Sequence, residues 1–298
     1  MTPSPRKSPL PAVPTIPPPD PSSDPPLRVL HVSDLHFGKP MVPEQIEAIE
    51  ELIQRARFDV VAVSGDVSQR ALSGEMQRAR SFLQHARRVS QTIVVPGNHD
   101  VRWWMAPLGF GDRKAMYATY RRFVDDDLEP VLRVPGVTFV GLLTAHGVAM
   151  HTLTWNYRDV SIIGDVRPRQ IEKAARAFAG SPNGDARVIV MHHNPMKGEL
   201  SKRHGIVDTK RVLGAFAELG VDVVLCGHDH QEAIHYVEHT KKGTVISTAG
   251  TVSNRSRGGR PSSLNVITIS HAAIDITTHI WSPEEHGFHP GPVRSFER

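Results

Sequence analysis

From residue 27 onward the chain alternates between two patterns of hydrophobic positions. One is a short, continuous aliphatic run, which is typical of a strand buried on both faces. The other places apolar residues three or four positions apart, which is typical of an amphipathic helix. The aliphatic runs lie at 27–33, 60–64, 93–96, 188–191 and 221–226. The helical patterns lie at 43–57, 73–89, 167–180 and 208–220.

The helical segments also carry signals at their ends. In the first of them, Ile46, Ile49 and Ile53 fall on one face. In the last, Asp208 is a predicted N-cap and Gly220 is a predicted C-terminal stop. Strands that alternate with crossover helices build parallel β-α-β units, so the pattern predicts an α/β fold.

The helical period disappears from Ile234 onward, and short β-rich runs replace it. Such runs predict the antiparallel flank of a mixed sheet or sandwich. We expect the folded domain to end with the last of them and residues 283–298 to form a C-terminal tail. The runs lie at 244–248, 264–270 and 273–281.

Two further segments stand out from the domain at 27–282. Residues 1–26 hold eleven of the chain's 24 prolines and no apolar periodicity, so we expect a disordered or polyproline-like tail. Residues 101–135 fit neither the strand nor the helix pattern and carry six aromatic side chains among charges. They predict a helical insertion, whose aromatic residues either shape a substrate pocket or pack the insertion onto the domain.

Composition narrows the setting of the protein. Hydrophobic residues make up 39% of the chain, which is ample for a large core. No run approaches the roughly 18 apolar residues of a membrane span, and the N-terminus lacks the apolar region of a secretory signal. The single cysteine, Cys226, ends an aliphatic run and is expected to be a small buried hydrophobe. These features predict a cytoplasmic protein.

The charge is mildly basic, with a formal net charge of +4. Basic residues concentrate in two places near the ends of predicted strands, which favours a small anionic substrate. A solvated basic surface is the alternative. The residues are Lys197, Lys202, Arg203, Lys210 and Arg211 in the first place, and Arg255, Arg257 and Arg260 in the second.

Each of the five aliphatic runs stops in a cluster of metal-ligand residues. Ligands gather at the carboxyl ends of strands in open α/β sheets, so we expect these clusters to form one site. Together they supply about the number of groups that two adjacent metal ions need. The clusters are Asp34-Leu35-His36, Gly65-Asp66, Gly97-Asn98-His99-Asp100, His192-His193 and Gly227-His228-Asp229-His230.

Spacing assigns provisional roles within the clusters. Asp66 stands alone after a glycine and is the natural bridging carboxylate. Asp34 and His36 are two positions apart, so an extended backbone would point both side chains to the same side. His228 and His230 share this spacing and can serve one ion each if the backbone turns between them. Asn98 adds a neutral, hard amide oxygen, and mixed nitrogen and oxygen ligands suit manganese, iron or zinc.

The ordered series resembles the calcineurin-like metallophosphoesterase superfamily over about residues 27–282. The resemblance implies a four-layer αββα sandwich, in which two mixed β-sheets lie face to face with helices outside. It places Asp34, His36, Asp66 and His230 on one metal ion, and Asp66, Asn98, His192 and His228 on the other. The motifs are Ser-Asp-Leu-His at 33–36, Gly-Asp at 65–66, Gly-Asn-His-Asp at 97–100, Met-His-His-Asn-Pro at 191–195 and Gly-His-Asp-His at 227–230.

The same resemblance assigns His99 to catalysis beside the phosphate or the leaving group. Asp100 could orient the His99 ring by accepting its other N–H, or it could cap a turn. His193 is expected to point away from the ligand His192, because it follows by one residue in a strand. Family members often have proline where this chain has Asn194.

The implied reaction is hydrolysis of a phosphoester. Two metal ions lower the pKa of a shared water enough for hydroxide to attack phosphorus near neutral pH. Within the superfamily, the chain most resembles the bacterial branch of cyclic nucleotide and glycerophosphodiester phosphodiesterases. Cleavage of a lipid pyrophosphate such as UDP-diacylglucosamine is the alternative, with peripheral lipid contact and with Arg255 and Arg257 binding a second phosphate. A repair-type DNA nuclease and a non-catalytic scaffold remain further alternatives, although a nucleic-acid partner is not expected.

Overall fold

The structure is a computed structural model, and it describes residues 25–105, 112–147, 163–199, 205–240 and 242–298. Residues 1–24 of the predicted proline-rich tail therefore lie outside the described residues. So do Phe110 of the predicted insertion and the basic pair Lys202 and Arg203.

Twelve strands form two six-stranded sheets in the described part of the chain. In chain order they are β1 Leu27–Val32, β2 Val60–Val63, β3 Gln91–Val94, β4 Val131–Val134, β5 Val137–Leu142, β6 Ala186–His193, β7 Val223–Gly227, β8 Ala233–Val237, β9 Thr244–Thr248, β10 Ser263–Ile269, β11 Ala273–Ser282 and β12 Gly287–Glu297. The first sheet has the order β12-β11-β10-β1-β2-β3, and the second has the order β4-β5-β6-β7-β9-β8.

Both sheets are mixed. In the first, β1, β2 and β3 are parallel; β10 pairs antiparallel with β1, β11 with β10, and β12 with β11. In the second, β5, β6, β7 and β9 are parallel, with an antiparallel strand at each edge. The predicted antiparallel flank is thus confirmed for β10 and β11. For β9 it is wrong, because β9 pairs in parallel with β7 and only β8 opposes it.

The described residues contain five α-helices, and four of them begin and end close to the predicted positions; the fifth, Arg113–Phe123, lies within the predicted helical insertion. Pro43 and Pro168 occupy first helical turns, where a missing N–H costs nothing. Asp208 accepts a hydrogen bond from the backbone N–H of Arg211 at 3.3 Å, which confirms the predicted cap. The helices are α1 Pro43–Ala56, α2 Ser73–Arg87, α3 Arg113–Phe123, α4 Pro168–Ala179 and α5 Thr209–Glu218.

Packing divides the molecule into four layers. Alternate side chains of the strands point to opposite faces, so Val29 of β1 lies between the sheets and Leu30 lies under the helices. Residues from both sheets, such as Val60 and Val188, share the core between them. Helices α1, α2 and α3 cover the outer face of the first sheet, and α4 and α5 cover that of the second. The αββα sandwich expected from the motifs is confirmed.

The predicted C-terminal tail is wrong over most of its length. Residues 287–297 form β12, which pairs with β11 from Ser282 opposite Gly287 to Ala273 opposite Glu297. Pro290 and Pro292 hide this strand from a sequence pattern, because proline cannot donate a ladder hydrogen bond. The strand lies at the sheet edge, where one row of N–H groups has no partner strand among the described residues, and proline is tolerated there.

The predicted helical insertion is only partly helical where it is described. A short 3-10 helix at Trp103–Met105 and α3 provide its helices, but its last part is strand β4. Tyr117 and Tyr120 are buried and pack against the core, as expected for aromatic residues that attach the segment to the domain. Trp103 and Trp104 remain exposed.

None of the helices in the described ranges is both long enough and apolar enough to cross a bilayer.

Candidate metal centre

The motif loops of both sheets meet at one end of the sandwich. Loops after β1, β2 and β3 come from the first sheet, and loops after β6 and β7 come from the second. The backbone N–H of His228 donates to Oδ2 of Asp34 at 3.0 Å, which joins the two sheets at this point. Five strand ends therefore bring their polar side chains into a single buried site.

The first donor set consists of Asp34, His36, Asp66 and His230, all of them buried. Nε2 of His36 lies 3.1 Å from Nε2 of His230. Nε2 of His230 lies 3.1 Å from Oδ1 of Asp34. The His36 nitrogen lies 3.6 Å from the same Asp34 oxygen and 3.9 Å from Oδ2 of Asp66.

The second donor set lies beside the first and shares Asp66 with it. Oδ1 of Asn98 lies 3.1 Å from Nε2 of His192 and 3.1 Å from Nδ1 of His228. The two imidazole nitrogens are 3.2 Å apart. Oδ2 of Asp66 lies 3.4 Å from the His192 nitrogen. The other oxygen of Asp66 accepts a hydrogen bond from the backbone N–H of His99 at 2.8 Å, so Oδ2 faces both sets.

These distances fit metal ions. Two atoms that each bind one ion at about 2.1 Å, with angles of 90° to 109°, stand about 3.0–3.4 Å apart. Oδ1 of Asp34 and Oδ2 of Asp66 are buried and have no hydrogen-bond partner among the described residues. A buried carboxylate oxygen without a partner is costly, and a cation between the donors removes that cost. The residues present could therefore hold two ions.

Backbone contacts orient the imidazoles of the two sets. Nδ1 of His192 donates to the backbone carbonyl of Ser64 at 2.8 Å, which leaves Nε2 facing the donors. Nδ1 of His230 donates to the carbonyl of Arg255 at 3.0 Å, with the same effect. Such outer contacts fix the tautomer and the ring direction of a metal ligand.

The backbone at the donors is left-handed rather than extended. Asp34, His36, Asp66, His228 and His230 have φ angles of 54°, 47°, 52°, 74° and 54°. The extended geometry expected for the Asp-x-His pair is therefore wrong, although both side chains do reach the site. Left-handed residues other than glycine cost about 1–2 kcal/mol each and persist where the surroundings enforce them.

Close backbone approach explains two of the motif glycines. A Cβ on Gly65 would lie 2.6 Å from Nδ1 of the His192 ring, and a Cβ on Gly227 would lie 2.5 Å from Oδ2 of Asp34. Both distances are too short for a real contact. The glycines therefore allow the two sheets to bring their donors together.

The carboxylates of the site are held in their ionised form. Burial acts to raise the pKa of Asp34. The imidazoles of His230 and His36 lower it by more than burial raises it, so this pKa lies well below its usual range. Burial acts to raise the pKa of Asp66, but His192, His99 and His36 together lower it by more, so this pKa also lies below its usual range. Both groups are ready to act as ligands without losing a proton at neutral pH.

His99 lies beside the donor sets but is not part of them. Its ring stands edge-on to the His36 ring, with centroids 4.9 Å apart. Nδ1 donates to the backbone carbonyl of Gln69 at 2.8 Å. Nη1 of Arg255 donates to Nε2 of His99 at 3.1 Å and to Oε1 of Gln69 at 3.1 Å.

Asp100 does not orient the His99 ring, which corrects one of the two sequence expectations. Its carboxylate accepts hydrogen bonds from the backbone N–H groups of Val67, Ser68 and Gly97 and from Oγ of Ser68. It therefore ties the loop after β2 to the loop after β3. Burial, and then the charge of Asp66, raise the pKa of this carboxyl to about 7. The carbonyl of Gln69 takes the orienting role instead, and nothing in the sequence marked this glutamine.

His193 also departs from expectation. Its ring lies 4.5 Å from the His228 ring and 4.9 Å from the His192 ring, between centroids, instead of pointing away from the site. Nδ1 forms a hydrogen bond with Oγ1 of Thr144 at 2.8 Å, and Nε2 is buried without a hydrogen-bond partner among the described residues. The His193 ring is therefore a third imidazole at the second donor set, beside His192 and His228.

The predicted basic residues differ in their relation to the site. Arg255 contacts His99, as described above. The positive charge of Arg257 acts on Asp229, between the two histidines of the last motif. Arg260 instead pairs with Glu232 at 2.8 Å, and Arg211 pairs with Asp208 at 3.4 Å.

Comparisons with known proteins agree with this architecture. The family model for the calcineurin-like phosphoesterase matches residues 27–232. The chain therefore belongs to the calcineurin-like phosphoesterase family. Comparison with curated protein sequences found no match.

Solved structures share the fold at low sequence identity. A purple acid phosphatase, PPD1, from yellow lupin (Lupinus luteus) seeds superposes with a TM-score of 0.63 and 12% identity, over 92% of this chain and 54% of that chain. This chain thus spans about half the length of the lupin protein. PhoD superposes with a TM-score of 0.62 and 11% identity, over 93% and 70% of the two chains. GAP50, the anchor in the inner membrane complex of Plasmodium, gives 0.52 and 13%, over 91% and 90%.

Proposed function

We propose that this protein is a two-metal hydrolase of phosphodiester or pyrophosphate bonds. The observation that carries the proposal is the pair of buried donor sets that share Oδ2 of Asp66, 3.9 Å from His36 and 3.4 Å from His192. Metal ions of the manganese, iron or zinc type would activate water and offset phosphate charge when bound. Asp34, His36, Asp66 and His230 would hold one ion, and Asp66, Asn98, His192 and His228 would hold the other.

His99 and Arg255 are the proposed groups that act on the substrate. Because Nδ1 of His99 donates to the Gln69 carbonyl, Nε2 is the ring nitrogen that would exchange a proton with the leaving oxygen, once a bound phosphate replaces it as the acceptor for Arg255. Arg255 lies 3.1 Å from that nitrogen, so a phosphate oxygen that binds its guanidinium is close to His99 as well. Arg257 remains a proposed contact for a second phosphate group.

A second candidate substrate class is a nucleotide-sugar lipid pyrophosphate such as UDP-diacylglucosamine. Four exposed apolar side chains lie on the segments after β2 and β3 that also carry Gln69 and His99, and they are called the apolar rim: Leu72, Trp103, Trp104 and Met105, which are 49%, 40%, 48% and 42% exposed. Arg102 joins its two segments by donating to the carbonyl of Ala71 at 3.2 and 3.1 Å. Exposed apolar side chains on the same segments as the polar site residues favour a substrate or surface with an apolar part.

A substrate panel tests the proposal. With manganese added, we expect turnover of cyclic AMP, a glycerophosphodiester or UDP-diacylglucosamine to exceed that of simple phosphomonoesters. Faster turnover of the monoesters would overturn the diester and pyrophosphate assignment. Absence of turnover with any phosphoester would favour the non-catalytic scaffold.

The apolar rim separates the two substrate classes. Leu72→Ala combined with Trp104→Ala should lower kcat/KM for UDP-diacylglucosamine and leave bis-p-nitrophenyl phosphate unaffected if the lipid is the substrate. Val293→Ala, at an exposed position on β12, is the matched control. Equal effects on both substrates would argue against a lipid-binding rim.

Two further statements stay predictions, namely that nucleic acid is not a partner and that the protein is cytoplasmic. The preference against a nucleic-acid partner would be contradicted by DNA binding that weakens steeply with salt. The cytoplasmic location likewise stays a prediction, to be checked by fractionation of the source cells.

A further inference from the structure

A second concave surface lies at the end of the first sheet that is opposite to the donor sets. It meets the amino ends of three strands, at Leu27 of β1, Asp59 before β2 and Gln91 of β3. Pro135, between β4 and β5, extends it across to the second sheet. The cleft has a volume of about 860 Å³. Because the donor sets lie at the carboxyl ends of the same strands, the length of the sheet separates the two sites.

The charged side chains that line this cleft, called the arginine cleft below, are mostly positive. Four arginines line it, namely Arg57, Arg87, Arg88 and Arg133, together with one carboxylate, Asp59. That carboxylate is already engaged, since its Oδ2 accepts a hydrogen bond from the backbone N–H of Arg28 at 2.7 Å. The cleft therefore carries an excess of positive charge that its own acidic residue does not offset.

Two of the four arginines are free to bind a ligand. Arg87 pairs with Asp125 at 3.2 Å, and Arg133 donates to the carbonyl of Ala177 at 2.9 Å. Across the ranges that the structure describes, the guanidinium groups of Arg57 and Arg88 take part in no hydrogen bond or ion pair.

Helix capping does not explain why Arg57 and Arg88 are arginines. Arg57 and Arg88 are the C-cap residues of α1 and α2, where basic side chains commonly bind the last helical carbonyls. Here Arg28, instead of Arg57, donates to the carbonyl of Ala56 at 2.6 Å. The cap positions place the two guanidiniums at the cleft without using them on the helix.

Ser90 adds an independent observation. It lines the cleft at the start of β3, and its Oγ is buried without a hydrogen-bond partner among the described residues. A buried hydroxyl of this kind is uncommon, and a ligand oxygen or N–H would satisfy it. The cleft thus presents an unused hydroxyl as well as two unused guanidiniums.

We propose that the arginine cleft is a second anion-binding site that takes a compound with two or more phosphate groups. The guanidinium fork matches phosphate oxygens in a bidentate manner, and two such forks favour two phosphates. The volume falls within the roughly 300–1,000 Å³ of small-molecule sites. Inorganic tripolyphosphate and a nucleoside triphosphate share this chemistry. The site does not depend on the hydrolytic function proposed above.

The test is calorimetric titration of the chelator-treated full chain with tripolyphosphate and, separately, with ATP. Both titrations use an Arg255→Ala background, which removes the guanidinium beside the donor sets. In this background, Arg57→Ala/Arg88→Ala should weaken binding by at least about tenfold, because charge-assisted hydrogen bonds are lost. Arg78→Ala/Arg80→Ala, which removes the same charge from exposed positions of α2, should leave the affinity within about twofold.

The outcomes distinguish specific binding in the arginine cleft from non-specific electrostatic binding of anions to the protein surface. Equal weakening by both double variants, or no weakening by either, would overturn the proposal. Arg57→Lys/Arg88→Lys keeps the charge but loses the fork, and a clear loss of affinity in this variant supports bidentate recognition. Tighter binding of ATP than of tripolyphosphate would identify a nucleotide as the ligand, and equal binding would identify the polyphosphate group alone. Since no metal or turnover is needed, failure here says nothing against the hydrolase proposal.

Discussion

Asn194 and Asp229 are joined by a hydrogen bond in which Nδ2 of the amide donates to Oδ2 of the carboxylate at 2.8 Å. Both side chains are buried. Asn194 follows the His-His pair after β6, and Asp229 lies between His228 and His230 after β7. The hydrogen bond therefore connects two loops that carry three of the proposed metal ligands. A proline at position 194 would have no side-chain donor to form it.

We predict that Asn194→Ala weakens metal binding about 10- to 100-fold, the usual effect of removing a contact that orients metal ligands. The physical reason is that Asp229 loses the donor that holds the last motif loop beside β6. Manganese titration followed by calorimetry measures the effect. Asn254→Ala, at an exposed position, is the matched control and should bind manganese as the wild type does. Unchanged affinity in Asn194→Ala would show that the hydrogen bond does not position the ligands.

Asp66→Asn should have the largest effect on metal content, because both donor sets use its Oδ2. We expect at least one of two ions to be lost and metal-dependent hydrolysis of bis-p-nitrophenyl phosphate to be abolished, while circular dichroism shows an intact fold. Metal content by mass spectrometry checks the first outcome. Asp126→Asn, an exposed carboxylate on the loop after α3, should retain both ions. Full turnover by Asp66→Asn would remove the basis for a two-metal centre.

His99 and Gln69 allow a matched comparison. His99→Ala should lower kcat by about 10²–10⁴, the usual contribution of a positioned acid or base. Gln69→Ala keeps the backbone carbonyl that orients the His99 ring and removes two side-chain contacts, that of Oε1 with Arg255 at 3.1 Å and the longer one of Nε2 with Nδ1 of His99 at 3.5 Å. It should therefore raise KM with little change in kcat. Steady-state kinetics on one diester separates these outcomes, and a similar fall in kcat for both variants would contradict the assigned contacts.

His31 should make the fold sensitive to acid. It lies between the sheets, with Nε2 3.0 Å from Oγ of Ser64, and burial lowers its pKa to about 3. The unfolded chain takes up a proton at about pH 6.5, whereas the folded chain does not. Between about pH 6.5 and 3 the unfolded state binds more protons, so stability falls as the pH falls, by at most about 1.4 kcal/mol per pH unit.

Urea unfolding of the metal-free protein at several pH values measures this effect. His31→Gln keeps a polar side chain that does not titrate, so its stability should depend less on pH below 6.5 than that of the wild type. His271→Gln, which replaces a histidine in the exposed turn between β10 and β11, should behave like the wild type. Parallel curves for wild type and His31→Gln would show that His31 does not titrate differently in the two states.

The pattern along the chain was sufficient for most of the architecture. Continuous aliphatic runs and helix-period segments predicted β1, β2, β3, β6 and β7 and four helices to within about two residues at most ends, because burial imposes those periods directly. The ordered polar clusters likewise identified the residues that meet at the strand ends. β12 was missed, since prolines at a sheet edge do not follow the strand pattern.

Only the tertiary structure decided how the polar residues are used. Spacing implied extended backbone at Asp34 and His36, yet both are left-handed, because loops from two sheets must close around one centre. Spacing also left two roles open for Asp100 and assigned no role to Gln69. Contacts from Val67 and Gly97 made Asp100 a connector of loops, and the Gln69 carbonyl oriented His99. Residue type and order are written in the sequence, but which donor faces which acceptor depends on chain segments that are distant in sequence and adjacent only after folding.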